Sequence, residues 1–471
     1  CTHASNVTGD GNDIAQIGAL CEKYNLYFIL DTSQTAGAAG IDMEQDHISA
    51  ICFTGHKGLF GPQGTGGIAL ADGVCVKPLL SGGSGVHSFE RKHPVELPTA
   101  LEAGTLNGHG IAGLHAALDW IKKTGIAAIH EKEMALAEQF QRGIETIPGI
   151  HLYGGEKRVA AIVSCNLADL DSAYVSDCLA EDYGIATRAG VHCAPLIHTH
   201  FGTEKQGMVR FSFSCFNTTE EVEKAVGAMR DIAAENRGKV TAYVGAGGKT
   251  SAIRKRAETM RTEGKKVLIL TTTKMMRPQE QEIFAAYEQT WQQRAIPDTA
   301  SGWRECRTAE KKWKEQVQSI LDTYGCCVAG SLIPGTEKFG MLPEKLMEDL
   351  LYLADEILIE ADGSAHMPVK APAEHEPVLF PYMDEVVIVM GAHAIGKPLQ
   401  EVCHRADYAK KILKCDADKI VTATDIRVLA EQGYAIPIQK QFPWMKISKV
   451  TGKDIKLCLT AEKKDKERDK Q

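Results

Sequence analysis

No apolar run in the chain is long enough to cross a membrane: stretches such as Val386–Met390 fall far short of the ~18 residues a span needs. The opening CTHASNVTGD lacks the basic and apolar regions of a secretory leader, and an initiator Met too, so a cytoplasmic protein is expected. No CxxC pair occurs among the 14 cysteines, and the only close pair is Cys326 and Cys327, which excludes a zinc ribbon and a disulfide framework. Cationic excess is missing as well. The 53 Lys and Arg against 61 Asp and Glu leave a formal charge of −8, which argues against nucleic acid or an anionic membrane as partner. Low-complexity tracts and internal repeats are absent. What is present is ordinary globular material: 471 residues, 44% apolar and 24% charged, enough for two or three domains. The 44 glycines lie slightly above the usual ~7%, as expected where several tight turns approach ligands.

Apolar runs ending in polar turns alternate with helical periodicity, the pattern of an α/β protein. Strands are expected at 26–30 and 50–53, helices over 111–123 and 128–146, and further strands near 159–165, 184–188 and 207–213. Thr218 with Glu221 three residues on is a capping box, opening a helix to about Glu235. A polar break at Asn236–Lys239 precedes a new α/β rhythm, with strands expected at 240–244, 267–272, 356–361, 385–390 and 419–423. The expected divisions are 1–125, a smaller subdomain over 126–236, a second domain over 240–459, and a charged, fraying tail over 460–471.

Two strand ends carry a first constellation. Asp31 and Gln34 follow one apolar run, and Thr54, His56 and Lys57 follow the next. Lysine forms a Schiff base with the aldehyde of pyridoxal phosphate, and an aspartate beside the pyridine nitrogen keeps that ring an electron sink. Gln34 can donate to the ring hydroxyl, and Thr54, His56 and the turn's amides can hold a phosphate near the glycine-rich segment Gly61–Gly67. Each residue alone has a plainer explanation, since an aspartate at a strand end is most often a helix cap. The combination carries the argument.

THASNVTG (2–9), DTSQTAGA (31–38), FTGHKGLFGPQGTGG (53–67), EAGTLN (102–107), RAGVHCAP (188–195) and RFSFSCFNT (210–218) occur in this order. Over about 1–236 they resemble the class V aminotransferase family, most closely its cysteine desulfurases and selenocysteine lyases. The resemblance implies a fold-type I pyridoxal-phosphate transferase. Lys57 would bind the cofactor covalently and Asp31 would pair with the pyridinium; Gln34 and Asn6 would contact the ring side, and Thr54 and His56 the phosphate. Thr105 would reach the phosphate of a neighbouring subunit, implying a homodimer. The family's N-terminal portion, with its phosphate-binding glycine turn and stacking histidine, has no counterpart upstream of Cys1, so the resemblance implies an N-terminally truncated chain.

Cys193 decides the reaction. It is expected in a loop near Arg188 and His192, which favour a reactive thiolate able to attack the sulfur or selenium of a bound amino acid and leave alanine. His192 is accordingly placed with Lys57 and Cys193 in the catalytic set. Arg210 matches the family's substrate-carboxylate clamp, with Arg188 beside it. The other thirteen cysteines are expected to be buried apolar thiols. His192, Cys193, His198 and His200 also offer zinc-type ligands, but no second ligand pair has zinc spacing and Cys193 already has a role, so no metal is expected.

A second constellation begins at Val240–Val244, which runs into GAGGKT (Gly245–Thr250) and a helix to about Glu263 with Gly264 as cap. Amides at such a helix start bind phosphate, Lys249 can neutralise it and Thr250 can ligate magnesium. A full P-loop has glycine where Tyr243 stands, so a plain glycine turn with a surface lysine remains the alternative. VLILTTTKMMRP (267–278) is expected to be a strand ending in hydroxyls and Lys274, and EILIEADGS (356–364) one ending in Glu360 and Asp362. Together with VKAPAEHEPVLFP, MGAHAIGKP and HRADY, these resemble the YqeC family of selenium cofactor biosynthesis proteins over about 240–425. That resemblance implies a P-loop-like nucleotide-binding domain in which Gly245, Gly247, Gly248, Lys249 and Thr250 bind phosphate of ATP or GTP with Mg2+, with Glu360 and Asp362 nearby. His366, Lys370, His375 and Glu376 are pocket candidates whose plainer explanation is exposed loop polarity.

Joined, the halves read as a cysteine desulfurase or selenocysteine lyase fused to a nucleotide-binding factor for maturation of selenium-dependent molybdenum hydroxylases. Cysteine or selenocysteine would be the substrate, a sulfur or selenium acceptor the partner, and pyridoxal 5'-phosphate the cofactor. The alternatives are an inactive scaffold with a nucleotide-dependent chaperone domain, or a desulfurase serving other cofactors.

Overall fold

The computed structural model describes residues 1–288, 300–416 and 418–451, so the expected tail at 460–471 and the end of the 240–459 domain lie outside the described residues. The chain divides into two compact units, 1–232 and 233–471.

The front unit holds two three-stranded sheets. In the first, β1 (Ile29–Asp31) lies parallel to β2 (Ala50–Thr54), and β3 (Gly66–Leu70) returns antiparallel to β2. The expected strand over 26–30 starts later because Asn25 turns left-handed at φ 51° and Leu26 and Tyr27 stay exposed. The glycine-rich segment is partly strand: Gly67 pairs with Phe53, and a Cβ there would stand 2.7 Å from the Phe53 ring. The second sheet is antiparallel, β4 (Ile150–Tyr153), β5 (Ile162–Leu167) and β6 (Val209–Ser212), with β5 buried throughout. The strand expected at 184–188 reduces to one bridge between Arg188 and Arg210. Helices α1 (Ile14–Lys23), α2 (Gly108–Thr124), α3 (Ile126–Ile144), α4 (Ser172–Glu181), α5 (Pro195–Phe201) and α6 (Thr219–Asn236) complete the unit's elements, the last running past its edge. The capping box is present: Glu221 N donates to Thr218 Oγ1 at 3.3 Å, and Thr218 N to Glu221 Oε2 at 3.1 Å.

The rear unit is built on one large sheet. Its parallel members are β7 (Lys239–Gly245), β8 (Val267–Thr271), β10 (Phe284–Tyr287), β11 (Cys326–Leu332), β13 (Glu356–Glu360), β15 (Glu385–Met390) and β17 (Lys446–Thr451). β12 (Lys338–Gly340) runs antiparallel beside β11 and β9 (Lys274–Met276) antiparallel beside β12, while β14 (Val369–Lys370) and β16 (Cys403–His404) form a separate parallel pair. Near-continuous burial along β7, β8, β13 and β15 is what a parallel sheet covered on both faces requires. One face packs Tyr243, Ile269 and Val387 under α7 (Lys249–Thr262); the other packs Val244, Leu270 and Ile388 with Val317, Leu321 and Met347 from later helices. Tyr243 therefore occupies the strand interior beneath α7, not the turn. Gly264, at φ 81°, ends the region of α7 as expected. The strand expected at 419–423 is absent; Ile420 makes one bridge to Pro398, and Thr422 caps a helix starting at Ala423 through a box with Asp425.

β7 lies between β13 and β15, and the chain leaves it for β8 on one side before returning to β15 on the other. Ligand crevices in open parallel sheets form outside the carboxyl ends at such a reversal. The glycine turn sits there.

Candidate functional site

In the front unit, pairing of Asp31 with Cys52 brings the ends of β1 and β2 to the same edge, and the turn after Thr54 carries Lys57. Burial pushes the Lys57 pKa down, Arg210 adds to this, Asp31 opposes it, Arg188 lowers it further and Cys193 opposes. The four residues that act on this one ammonium, Asp31, Arg188, Cys193 and Arg210, are all expected site residues. A lysine so depressed offers more of its free amine, the form that attacks an aldehyde.

The 188–193 loop is held by hydrogen bonds on several sides. Arg188 N donates to Arg210 O at 3.2 Å and Arg210 N to Arg188 O at 2.8 Å. Asn6 Nδ2 donates to His192 O at 2.7 Å, and Arg210 Nη1 to Asn6 O at 2.9 Å. These bonds hold His192 and Cys193 left-handed, at φ 54° and 58°, a conformation that costs of order 1–3 kcal/mol per non-glycine residue. Cys193 is exposed, and Arg188 Nη2 donates to its sulfur at 3.3 Å.

His192, expected in the catalytic set, is buried beneath the loop. It is 1% exposed, its Nε2 lies 2.9 Å from Arg188 O, and its Nδ1 makes a long 3.5 Å contact with His198 Nε2. Burial pushes its pKa down to about 4, so the ring is neutral and supports the loop from beneath. His198, itself fully buried, continues to Thr203 Oγ1 at 2.9 Å. Asn6 likewise serves the loop through its amide nitrogen. His200 is exposed on α5, and among the described residues no three His, Cys, Asp or Glu side chains gather as metal ligands. Gln34 is half-buried in the turn after β1, His56 is exposed beside Lys57, and Thr105 is exposed on the segment leading into α2, outside the hydrogen-bonded cluster. Cys1 and Cys75 are exposed, against the expectation of buried thiols; Cys165 is fully buried, its pKa pushed up to about 12.

The residues present fit pyridoxal phosphate. Thr54 Oγ1 and Arg210 Nε are buried without a hydrogen-bond partner, two orphaned donors where a phosphate and a substrate carboxylate are expected.

In the rear unit, Gly245 and Gly247 turn at φ 91° and 79°, and a Cβ on either would lie 2.2 Å from Val389 O or 2.4 Å from Pro368 O. α7 then starts at Lys249 with no side-chain cap, leaving its first amides free for an anion. Thr250 Oγ1 donates to Glu360 Oε2 at 2.9 Å. Burial pushes the Glu360 pKa up, against the pull of Lys249. Lys249 itself is turned inward: its Nζ donates to Gly245 O at 2.7 Å and pairs with Asp362 at 3.1 Å. Asp362, expected at the metal or substrate, is instead wholly buried, accepting from Gly245 N at 3.0 Å and Tyr434 OH at 2.9 Å. A cavity of about 1080 Å³ opens beside the turn, lined among others by Lys255, Lys274, Lys338, Glu360, His366 and Arg405. Lys370 is fully buried on β14 and pairs at 2.8 Å with Glu376, which lines the cavity and is half-buried; His375 is exposed. Tyr434 and Lys338 carried no local signal in the sequence.

Residues 1–225 match the family model described as aminotransferase class-V, and residues 241–407 match the one described as YqeC protein. A probable cysteine desulfurase of Methanothermobacter thermautotrophicus is 32% identical over 237 residues, 49% of this chain and 59% of that protein. A cysteine desulfurase of Shigella flexneri is 31% identical over 236 residues, 49% of this chain and 57% of that one. The apo structure of a cysteine desulfurase from Thermococcus onnurineus is 29% identical with a TM-score of 0.45, over 50% of this chain and 59% of that one. The chain thus spans somewhat over half the length of the relatives it matches. Among the described residues, no helix is long and apolar enough to cross a membrane.

Proposed function

We propose that the front unit takes sulfur or selenium from cysteine or selenocysteine and leaves alanine, with pyridoxal phosphate as cofactor. The convergence of Asp31, Arg188, Cys193 and Arg210 on Lys57 carries this reading. When bound, the cofactor withdraws electrons from the substrate carbons so that the Cβ–S or Cβ–Se bond can break. Lys57 would hold it and then exchange protons at the substrate carbons, and Asp31 would keep its pyridine nitrogen protonated. Arg210, with its unused Nε, takes the substrate carboxylate. The Cys193 thiolate attacks the substrate sulfur or selenium, forming an S–S or S–Se bond as the bond to Cβ breaks. The electron pair left at Cβ takes up a proton, giving alanine and a Cys193 persulfide or its selenium counterpart for an acceptor protein. A homodimer, with Thr105 reaching across it, belongs to the same proposal.

The rear unit, on this reading, binds ATP or GTP with Mg2+ at Gly245–Thr250 and serves the maturation of selenium-dependent molybdenum hydroxylases. Lys249 leaves Asp362 for the phosphates, and Glu360 with Thr250 takes the metal. Supporting this are the uncapped helix start, the two glycines that admit no Cβ, and the basic cleft. The test is direct: the chain with added pyridoxal phosphate, cysteine or selenocysteine, and a thiol reductant to discharge the persulfide should release sulfide or selenide and lose this on Cys193→Ser, and calorimetry with Mg·ATP and Mg·GTP should show heat that Lys249→Ala removes. Turnover that survives Cys193→Ser refutes the first half; no heat with either nucleotide refutes the second.

A further inference from the structure

Behind the exposed Cys193 runs a row of buried polar side chains that the reaction proposed for the front unit does not use. His192 is 1% exposed, His198 0% and Thr203 3%. His192 Nε2 lies 2.9 Å from Arg188 O, His192 Nδ1 3.5 Å from His198 Nε2, and His198 Nδ1 2.9 Å from Thr203 Oγ1. The two ring centroids are 5.6 Å apart and the ring planes 23° from parallel. With the facing nitrogens 3.5 Å apart, both lie close to the line between the centroids, so the rings meet edge to edge, where an N–H can point at a lone pair in a long hydrogen bond.

Elimination fixes every proton in this row. A carbonyl only accepts, so the hydrogen of His192 is on Nε2 and, in a neutral ring, Nδ1 carries a lone pair. That lone pair needs a donor, which places the hydrogen of His198 on Nε2 and leaves its Nδ1 to accept from the Thr203 hydroxyl. The other neutral form of His198 would set two lone pairs against each other. Both rings are held neutral: burial pushes the His192 pKa down to about 4, with Arg210, His198 and Arg188 adding to it, and burial lowers that of His198 against the pull of Thr203 and Glu204. The donors all point one way and end on Arg188 O, which also accepts from Arg210 N at 2.8 Å.

This row braces the segment that presents the nucleophile. The chain leaves the Arg188–Arg210 bridge, passes through Cys193 and α5, and returns at β6. Thr203, on the return, is fixed by its own backbone: its N donates to His198 O at 2.9 Å and its O accepts from Gly207 N at 2.8 Å. The row ties it to Arg188 O at the departure. In between, His192 and Cys193 are left-handed non-glycine residues, a conformation that persists only where the surroundings enforce it. Asn6 holds the His192 carbonyl at 2.7 Å, and the row holds its ring. Without a donor at His198, Nδ1 of His192 would be a buried, unpaired acceptor, and a ring that turned to find a partner would undo the turn that sets Cys193 Sγ 3.3 Å from Arg188 Nη2.

We propose that His198 and Thr203 are positioning residues for Cys193: by fixing the tautomer of His192 they hold the left-handed turn from which the thiol meets the substrate's sulfur or selenium. The role in turnover rests on the desulfurase reading; the proton positions do not.

Those positions are read without cofactor or substrate, in the full chain labelled with 15N-histidine, from long-range ring 15N–1H spectra at pH 7, with His192 and His198 identified by the signals lost in His192→Gln and His198→Gln. Both rings should carry hydrogen on Nε2 and none on Nδ1; an Nδ1–H form of either overturns the proposal. His198→Gln keeps an N–H for His192 Nδ1, and His198→Leu removes it. With pyridoxal phosphate, cysteine and a thiol reductant, His198→Leu should lower kcat roughly tenfold, the scale of one unpaired buried acceptor, with KM for cysteine unchanged, while His198→Gln turns over as the wild type does. A loss carried by KM, or equal kcat in the two variants, overturns the proposal. If His198→Leu does not fold, Thr203→Val against Thr203→Ser makes the same comparison, with the serine expected to recover the rate. If the wild type does not turn over, the desulfurase reading alone fails and hydrogen exchange decides this one: amides of 188–193 should exchange faster in His198→Leu than in the wild type and at the wild-type rate in His198→Gln, and equal rates in all three overturn it.

Discussion

Replacing Asp362 by asparagine isolates the charge at the centre of the rear unit, because the side chain keeps its shape and an oxygen to accept from Gly245 N and Tyr434 OH. What disappears is the negative charge facing Lys249 at 3.1 Å and Lys370 at 3.3 Å. Lys370 keeps Glu376 at 2.8 Å, so it is not stranded. Lys249 keeps only the Gly245 carbonyl at 2.7 Å while remaining nearly without solvent. Breaking a buried pair costs about 3–5 kcal/mol, and with one lysine still partnered the lower end applies, about 3 kcal/mol. For a domain of this size each kcal/mol moves the midpoint by roughly 2–4 °C, so a fall of roughly 6–12 °C is expected. Differential scanning calorimetry of the full chain measures it in the transition of the rear unit. A shift under about 3 °C would mean that Lys249 escapes to solvent at almost no cost, and the picture of Asp362 as a buried anchor would be wrong.

Lys57→Ala should abolish the visible absorbance that develops when pyridoxal phosphate is added to the chain; unchanged spectra would remove Lys57 from its role. Brief iodoacetamide treatment at pH 8 should label Cys193 and spare Cys165, Cys326, Cys327 and Cys403, whose thiols burial pushes up to about 12, 11, 12 and 11; peptide mass spectrometry showing the reverse order contradicts the site. Mapping of the persulfide after cysteine turnover should place it on Cys193, and finding it on Cys165 or Cys215 instead would reassign the acceptor. His192 titrates near 4 in the fold against about 6.5 when unfolded. The unfolded chain thus binds the extra proton first, so stability should fall as pH drops from about 6.5 toward 4, and His192→Asn should flatten that slope in urea titrations of the front unit.

Long-buried strands and capped helices were legible because their signals are local. Val386–Met390 reads as a fully apolar run because the parallel sheet covers it on both faces, and the Thr218–Glu221 box marks a helix start by its own hydrogen bonds. The glycine turn and Lys57 were legible for the same reason, each lying within a few residues of the strand that carries it. The 419–423 run misled: the capping box of Thr422 with Asp425 takes its end for a helix. What could not be read is what distant segments do to one another. Nothing near Asp362 announces Tyr434, 72 residues away, or that Lys249 would be turned inward. Nor does the sequence show that the left-handed backbone at His192 and Cys193 accompanies a His192 ring turned to Arg188 O and His198.

The placement of β7 also governs when its glycine turn can exist during synthesis. This strand leaves the ribosome first among the rear unit's strands, yet both its neighbours lie far downstream, β13 beginning at Glu356 and β15 at Glu385. From Lys239 to Glu385 is 146 residues, so at about 5–20 residues per second the strand waits roughly 7–30 s with an edge unpaired. The front unit's sheets close entirely within residues 1–232 and need none of that material. A nascent chain arrested before Glu385 would therefore carry every strand of the front unit's two sheets and an exposed Val240–Val244 edge, a target for chaperones and a seed for aggregation. The same geometry makes the glycine turn among the last features to form, since Gly245 cannot settle until the Val389 carbonyl is in place beside it.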